Sequence, residues 1–167
     1  MAKTDENLRA AFAGESQANR KYLAFAKVAD KEGYSQVARL FRAAAEAETV
    51  HAHNHLRVMG GIKGTADNLK AAVEGETYEF TRMYPEFIAE AAKEGNKKAE
   101  RSFSLANAVE QIHARLYGRA QDAVANGDDL SAVPIWVCQT CGNTVEGDPP
   151  GACPICGAAR EMFKRVD

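Results

Sequence analysis

Cysteine is absent from the first 137 residues, proline occurs once before residue 134, and no stretch approaches the roughly 18 to 20 consecutive apolar residues that a bilayer span requires. The last absence excludes a helical membrane anchor. The N-terminal Met1-Ala2-Lys3-Thr4-Asp5-Glu6 carries no apolar signal core, so the expected compartment is the cytoplasm. Nor is there a basic cluster or an acidic run. The formal net charge is −2, residues 135–167 contribute −1 of it, and no nucleic-acid or membrane partner is expected. With 46% hydrophobic and 26% charged residues, the chain is neither disordered nor collagen-like. All four cysteines fall within residues 138–156, and paired cysteines in a cytoplasmic chain point to metal binding rather than to disulfides.

The scarcity of proline leaves room for long helices. Between Thr4 and Asn126 the sequence is rich in Ala, Glu, Lys, Arg and Leu, and it is broken mainly at Gly33, Gly60, Gly61, Gly64, Gly95 and Gly127. Such punctuation predicts four helices, at about 4–31, 35–59, 66–94 and 97–126, the third kinked at Pro85. A 3,4 spacing runs through each: Leu8, Phe12, Glu15, Asn19, Tyr22, Ala26, Ala29 in the first, and Val37, Phe41, Ala44, Glu48, His51, His55, Val58 in the second. The third reads Leu69, Val73 or Ala72, Glu76, Phe80, Met83, Phe87, and the fourth Ala99, Phe103, Ala106, Glu110, His113, Tyr117, Ala120. Each seam is apolar except near its middle, so packing on these seams sets the carboxylates at one level of a four-helix bundle. Lys31-Glu32-Gly33 through Glu48 and His51 recurs 62 residues later as Lys93-Glu94-Gly95 through Glu110 and His113. The bundle is therefore two copies of one helical hairpin, with Glu79 the position that breaks the repeat. A short polar linker after Gly127 leads into a Gly- and Pro-rich segment, giving a helical domain at 1–134 and a small module at 135–167.

Carboxylates buried alone cost several kcal/mol each, so four seam glutamates need cations or protons. Glu-x-x-His places an oxygen and a nitrogen ligand one turn apart on one helical face. Two such motifs plus a Glu from each remaining helix enclose two ions, the arrangement known for carboxylate-bridged di-iron and di-manganese bundles. A single Glu-x-x-His on an Ala-rich helix reads as a surface pair; two in repeat register, with Glu15 and Glu76 on the other seams, do not. His53 and His55 fall off the seam or a turn beyond it and are read as surface or supporting residues. Tyr22 and Tyr84, read from spacing alone, are core aromatics.

Cys138-x-x-Cys141-Gly142 and Cys153-x-x-Cys156-Gly157 form two knuckles eleven residues apart, suited to one tetrahedral ion. The glycine after each second cysteine permits a positive φ that turns backbone N–H groups toward the sulfurs. About thirty residues hold too little core to fold without such a staple, with Trp136 and Phe163 as its core residues. Iron and zinc both fit four thiolates, zinc being the expected contaminant of recombinant material.

Over nearly its whole length this order of motifs resembles rubrerythrin, a ferritin-like di-iron protein with a C-terminal rubredoxin-like domain. The likeness rests on Gly14-Glu15-Ser-Gln-Ala-Asn-Arg-Lys-Tyr22, Glu48-x-x-His51, Gly75-Glu76-Thr-Tyr-Glu79 through Tyr84-Pro85-Glu86-Phe87, Glu110-x-x-His113 and the two cysteine knuckles. The resemblance implies that Glu48 and Glu110 bridge two irons, that Glu15 serves the first, and that Glu76 with His113 serves the second. It further implies that the first iron takes Glu79 when oxidised and His51 when reduced, and that Tyr22 and Tyr84 hydrogen-bond around the ligands. The implied activity is reduction of hydrogen peroxide to water, fed by an electron-donor protein through an iron held by Cys138, Cys141, Cys153 and Cys156.

Chain lengths bear on assembly. A ferritin-like crossover has to cover about 30 Å along the bundle axis, since Glu48 and Glu76 each lie roughly 15 Å from the connector. Residues 60–65 reach only about 25 Å. The expectation is therefore either simple up-down connectivity or exchange of hairpins in a homodimer or higher oligomer, and exchange is favoured. The competing functions are a ferroxidase or iron-handling protein and a non-catalytic zinc-ribbon bundle.

Overall fold

Helix α1 (Lys3–Lys31) and helix α2 (Ser35–Val58) form a hairpin in a computed structural model that describes residues 2–166. The turn between them needs Gly33, at φ +85°: Gly33 N–H bonds Asp30 O and Tyr34 N–H bonds Ala29 O, closing the last turn of α1. The 62-residue repeat is visible in the backbone, because Gly95 at φ +70° repeats both bonds, to Ala92 O and Ala91 O. By compactness the chain divides into two units, the break falling between Lys63 and Gly64.

In the first unit the helices meet on a stripe of small residues. Ala38, Ala45 and Ala52 recur every seven residues on α2 and are buried, as are Asn19, Ala26 and Ala29 on α1. Alanine lets the backbones approach closely, and the Asn19 side chain exploits this by donating to the Ala45 carbonyl and to Thr49 Oγ1, both at 2.8 Å. Phe41 covers the Ala26, Ala29 and Ala38 cluster. Val37 and Val58 of the expected seam lie one position beside this stripe and stay open, at 46% and 71% exposure.

The second unit pairs helix α5 (Lys97–Ala125) with a helix in three parts: α3 (Thr65–Tyr78), a π turn (Glu79–Met83) and α4 (Tyr84–Lys93). All helix ends fall within a residue of those read from sequence. The kink expected at Pro85 is instead a widened turn just before it, in which Tyr84 N–H reaches back five residues to Glu79 O. Proline lacks an N–H and its ring crowds the carbonyl four residues back, so it is accommodated in the first turn of α4 while the preceding turn opens. Tyr84, Phe87 and Phe103 pack edge to face or tilted at 5.5 to 6.4 Å.

After an irregular linker, strands β1 (Ile135–Cys138), β2 (Thr144–Glu146) and β3 (Phe163–Val166) form an antiparallel sheet of order β2-β1-β3. Its core is Cys138, Cys153 and Phe163, flanked by Trp136, Val145 and Ile155. The module touches α5 through β2, where Arg119 Nη1 meets Glu146 Oε2 at 2.5 Å. Among the described residues no helix is long and apolar enough to cross a membrane.

Candidate metal centres

Three clusters of ligating atoms occur among the described residues, each with its atoms within 4.8 Å of one another. Two are carboxylate and imidazole clusters, one per unit, and the third is the cysteine cluster.

In the first unit Glu48 and His51 share a face of α2, and Glu15 reaches across from α1, held level by the Asn19 bonds one turn further on. His51 Nδ1 lies 2.9 Å from Glu48 Oε2 and 3.8 Å from Glu15 Oε1. The second unit repeats the pattern: His113 Nδ1 lies 2.7 Å from Glu110 Oε2 and 4.0 Å from Glu76 Oε1. Both imidazoles thus turn Nδ1 toward the carboxylates, as i,i+3 placement on a helix dictates. They differ in cover, since the His51 side chain is 53% exposed and that of His113 is 26% exposed.

The electrostatics of the second unit are those of crowded carboxylates. Burial first, then the charge of Glu110, push the Glu76 carboxyl up to about 7. The same two causes raise Glu79, which opens the π turn and senses both Glu110 and His113. Burial and the charges of Glu79, Glu110 and Glu76 raise the Tyr84 phenol. A cation among these groups relieves the repulsion, so the donor set suits a metal ion. Tyr22 packs in the first unit against Phe25 and Phe41, at 6.4 and 6.2 Å between ring centres. Neither His53 nor His55 joins a cluster; His53 lines a separate cleft with Phe12, Asn19 and Arg20.

Cysteine geometry supports a single tetrahedral ion. The Sγ atoms of Cys138 and Cys156 are 3.7 Å apart, as are those of Cys141 and Cys153. A tetrahedron with metal–sulfur bonds of about 2.3 Å has edges of about 3.8 Å. Gly142 at φ +86° and Gly157 at φ +76° do turn the backbone as expected, so Asn143 N–H faces the Cys141 sulfur and Ala158 N–H that of Cys156. Burial opposes ionisation of Cys153, but the Cys156 and Ile155 N–H groups outweigh it and pull that thiol down to about 7. Burial pushes Cys141 up. Thiolates compensated by one cation suit this mixture.

Two residues of this centre carry no signal in the sequence. Asn143, 1% exposed, donates from Nδ2 toward the Cys153 sulfur at 3.6 Å. Thr144 Oγ1 lies 2.9 Å from His113 Nε2, a contact spanning 31 residues. Asn19 could have been found: a polar residue on an apolar seam needs a partner.

Comparison with known proteins matches residues 6–121 to the family model described as Rubrerythrin and residues 136–164 to the rubrerythrin rubredoxin-like domain. Rubrerythrin-2 of Clostridium acetobutylicum is 35% identical over 98% of this chain and 96% of its own length. Nigerythrin of Nitratidesulfovibrio vulgaris is 36% identical over 98% of this chain and 86% of its own. Among solved structures, a mixed-valence state of nigerythrin superposes with a TM-score of 0.57 at 35% identity, covering 99% of this chain and 88% of that one. The fully reduced, all-ferrous state of nigerythrin superposes with a TM-score of 0.59 at 34% identity over the same shares.

Proposed function

Because the chain belongs to the rubrerythrin family, with ferritin-like helices and a rubredoxin-like module, we propose that it reduces hydrogen peroxide to water with electrons that enter through the cysteine site. The overall reaction joins one peroxide, two electrons and two protons to give two waters. The observation that carries this reading is an unbroken chain of contacts between the two kinds of site in the second unit. From Cys141 it passes to the adjacent Gly142 carbonyl, on to the Thr144 hydroxyl at 3.2 Å, and then to His113 Nε2 at 2.9 Å. A structural zinc ribbon has no need of such a junction.

Glu15, Glu48, His51, Glu76, Glu79, Glu110 and His113 would hold two irons, and Cys138, Cys141, Cys153 and Cys156 a third. When bound, the iron pair supplies the two electrons that cleave the O–O bond, and the cysteine-held iron replaces them singly. The Glu76 carboxyl, which holds its proton up to about 7 in the metal-free site, would give it up to an ion, and the Tyr84 phenol beside it is placed to hold a proton near the reacting oxygens. Exposed His51 and partly buried Glu79 would be the ligand pair that exchanges with oxidation state, an anionic carboxylate favouring the higher charge and a neutral imidazole the lower. Tyr22 supports the first unit's ligands.

Each unit alone provides three clustered ligands and leaves large apolar side chains open, Leu40 and Val50 among them in the first. This supports a homodimer in which hairpins are exchanged, served by a separate electron-donor protein in the reducing cytoplasm. The test is steady-state consumption of peroxide and of oxygen by the iron-loaded protein with a reductase present. Turnover that prefers peroxide is expected; oxygen-driven deposition of ferric iron would assign iron handling instead. A colourless protein loaded only with zinc and inert to both oxidants would assign the adaptor role.

A further inference from the structure

The two Glu-x-x-His motifs are equivalent by repeat, yet their histidines are held differently. The Thr144 hydroxyl has one proton, and it goes to the Gly142 carbonyl 3.2 Å away. Toward His113 Nε2, 2.9 Å away on its other side, the same oxygen can only accept. With an ion on Nδ1 the ring's one proton would sit on Nε2 and donate to Thr144; without an ion, Nδ1 lies 2.7 Å from the acceptor-only Glu110 carboxylate and donates to it, with Glu76 4.0 Å away. His51 has the same Nδ1 contacts, but among the described residues no hydrogen bond fixes its Nε2, and its ring is half exposed. Ligating imidazoles are oriented by the partner of their second nitrogen, whose loss typically costs about 10- to 100-fold in metal affinity.

We propose that Thr144 is a positioning residue for the carboxylate centre. It fixes the ring and tautomer of His113, so that this histidine stays a permanent ligand while unrestrained His51 is the one free to leave. The cysteine module thereby becomes a structural part of the neighbouring metal centre as well as its source of electrons. This rests on the reading of His113 as a metal ligand, but not on the identity of the oxidant.

The experiment uses full-length protein with the cysteine site loaded with iron and the carboxylate site stripped, comparing wild type, Thr144→Val and Thr144→Ser. With zinc added to the carboxylate site of an aliquot of each, nitrogen-15 NMR of the imidazoles is expected to show a slowly exchanging Nε2–H for His113, retained in T144S and lost in T144V, with none for His51. Ferrous ion added to the stripped samples is expected to bind about 10- to 100-fold more weakly to T144V and near wild-type strength to T144S. The visible spectrum of the cysteine site, unchanged in all three, confirms that the module is folded. A protected His113 Nε2–H that survives in T144V, or ferrous affinity that is the same in all three proteins, would overturn the proposal. Because the NMR signal is read with redox-inert zinc in the carboxylate site, it decides the role of Thr144 even if peroxide turnover fails.

Discussion

At the scale of single residues, Glu79 and Glu76 carry the chemistry most exposed to test. Glu79 has no partner in the first half of the repeat and sits where the π turn opens, beside Glu110 and His113. If it replaces His51 on oxidation, Glu79→Ala should lower peroxide turnover at least about 10-fold, the scale of losing a ligand's support. Full turnover in that variant would refute ligand exchange. Glu76 gives a pH prediction for the metal-free protein. Its carboxyl titrates near 4.5 when unfolded but near 7 when folded, so between those values the folded state binds more protons. Stability must then fall as pH rises from about 4.5 to about 7. Thermal melts of metal-free protein should show a lower Tm at pH 8 than at pH 5, and Glu76→Gln should flatten the difference. An equal slope in both proteins would show that Glu76 is not the source.

At the scale of elements, the close approach of α1 and α2 depends on the Ala38, Ala45, Ala52 stripe. Ala45→Leu should force the helices apart and strip Asn19 of its bond to the Ala45 carbonyl, costing about 1 to 3 kcal/mol by denaturant melts. Leu40→Ala on the open face should cost far less. The stripe also shows where sequence reasoning stops. Helix ends were legible because glycine at positive φ marks them, and the ligands because Glu-x-x-His in repeat register has few other meanings. The α1 side of the hairpin contact was legible too, since Asn19, Ala26 and Ala29 lie on the expected seam and are buried; the α2 side was not, because the Glu48 and His51 register drew that seam through Val37 and Ala44, one position from the alanines that are buried. Pro85 announced a break in the third helix but not its form, since a π turn depends on the neighbouring turns and not on the proline alone. The Thr144 contact with His113 joins a strand to a helix across 31 residues and leaves no local pattern.

For the whole molecule, the short connector and the two half-sets of ligands lead to hairpin exchange, which a mixing experiment can decide. In an exchanged dimer of one Glu48→Ala chain and one Glu110→Ala chain, both lesions fall in one centre and the other centre is intact. In an unexchanged dimer each centre carries one lesion. Unfolding and refolding the two inactive variants together should therefore restore up to about a quarter of wild-type activity, for statistical pairing with half of the dimers mixed and one of two centres working in each. No recovery would place each full ligand set in one chain.

The central claim is that the cysteine site and the carboxylate clusters form one circuit, and a single-turnover measurement tests it most directly. Fully reduced, iron-loaded protein is mixed with one equivalent of peroxide without any donor, and the absorbance of the ferric tetrathiolate is followed in wild type and in Glu110→Ala. The circuit predicts that the colour appears quickly in wild type and at least about 10-fold more slowly in the variant, because oxidation of the cysteine-held iron passes through the carboxylate centre. Equal rates in the two proteins would mean that peroxide reaches the cysteine site directly, and the two metal places would then be separate devices on one chain.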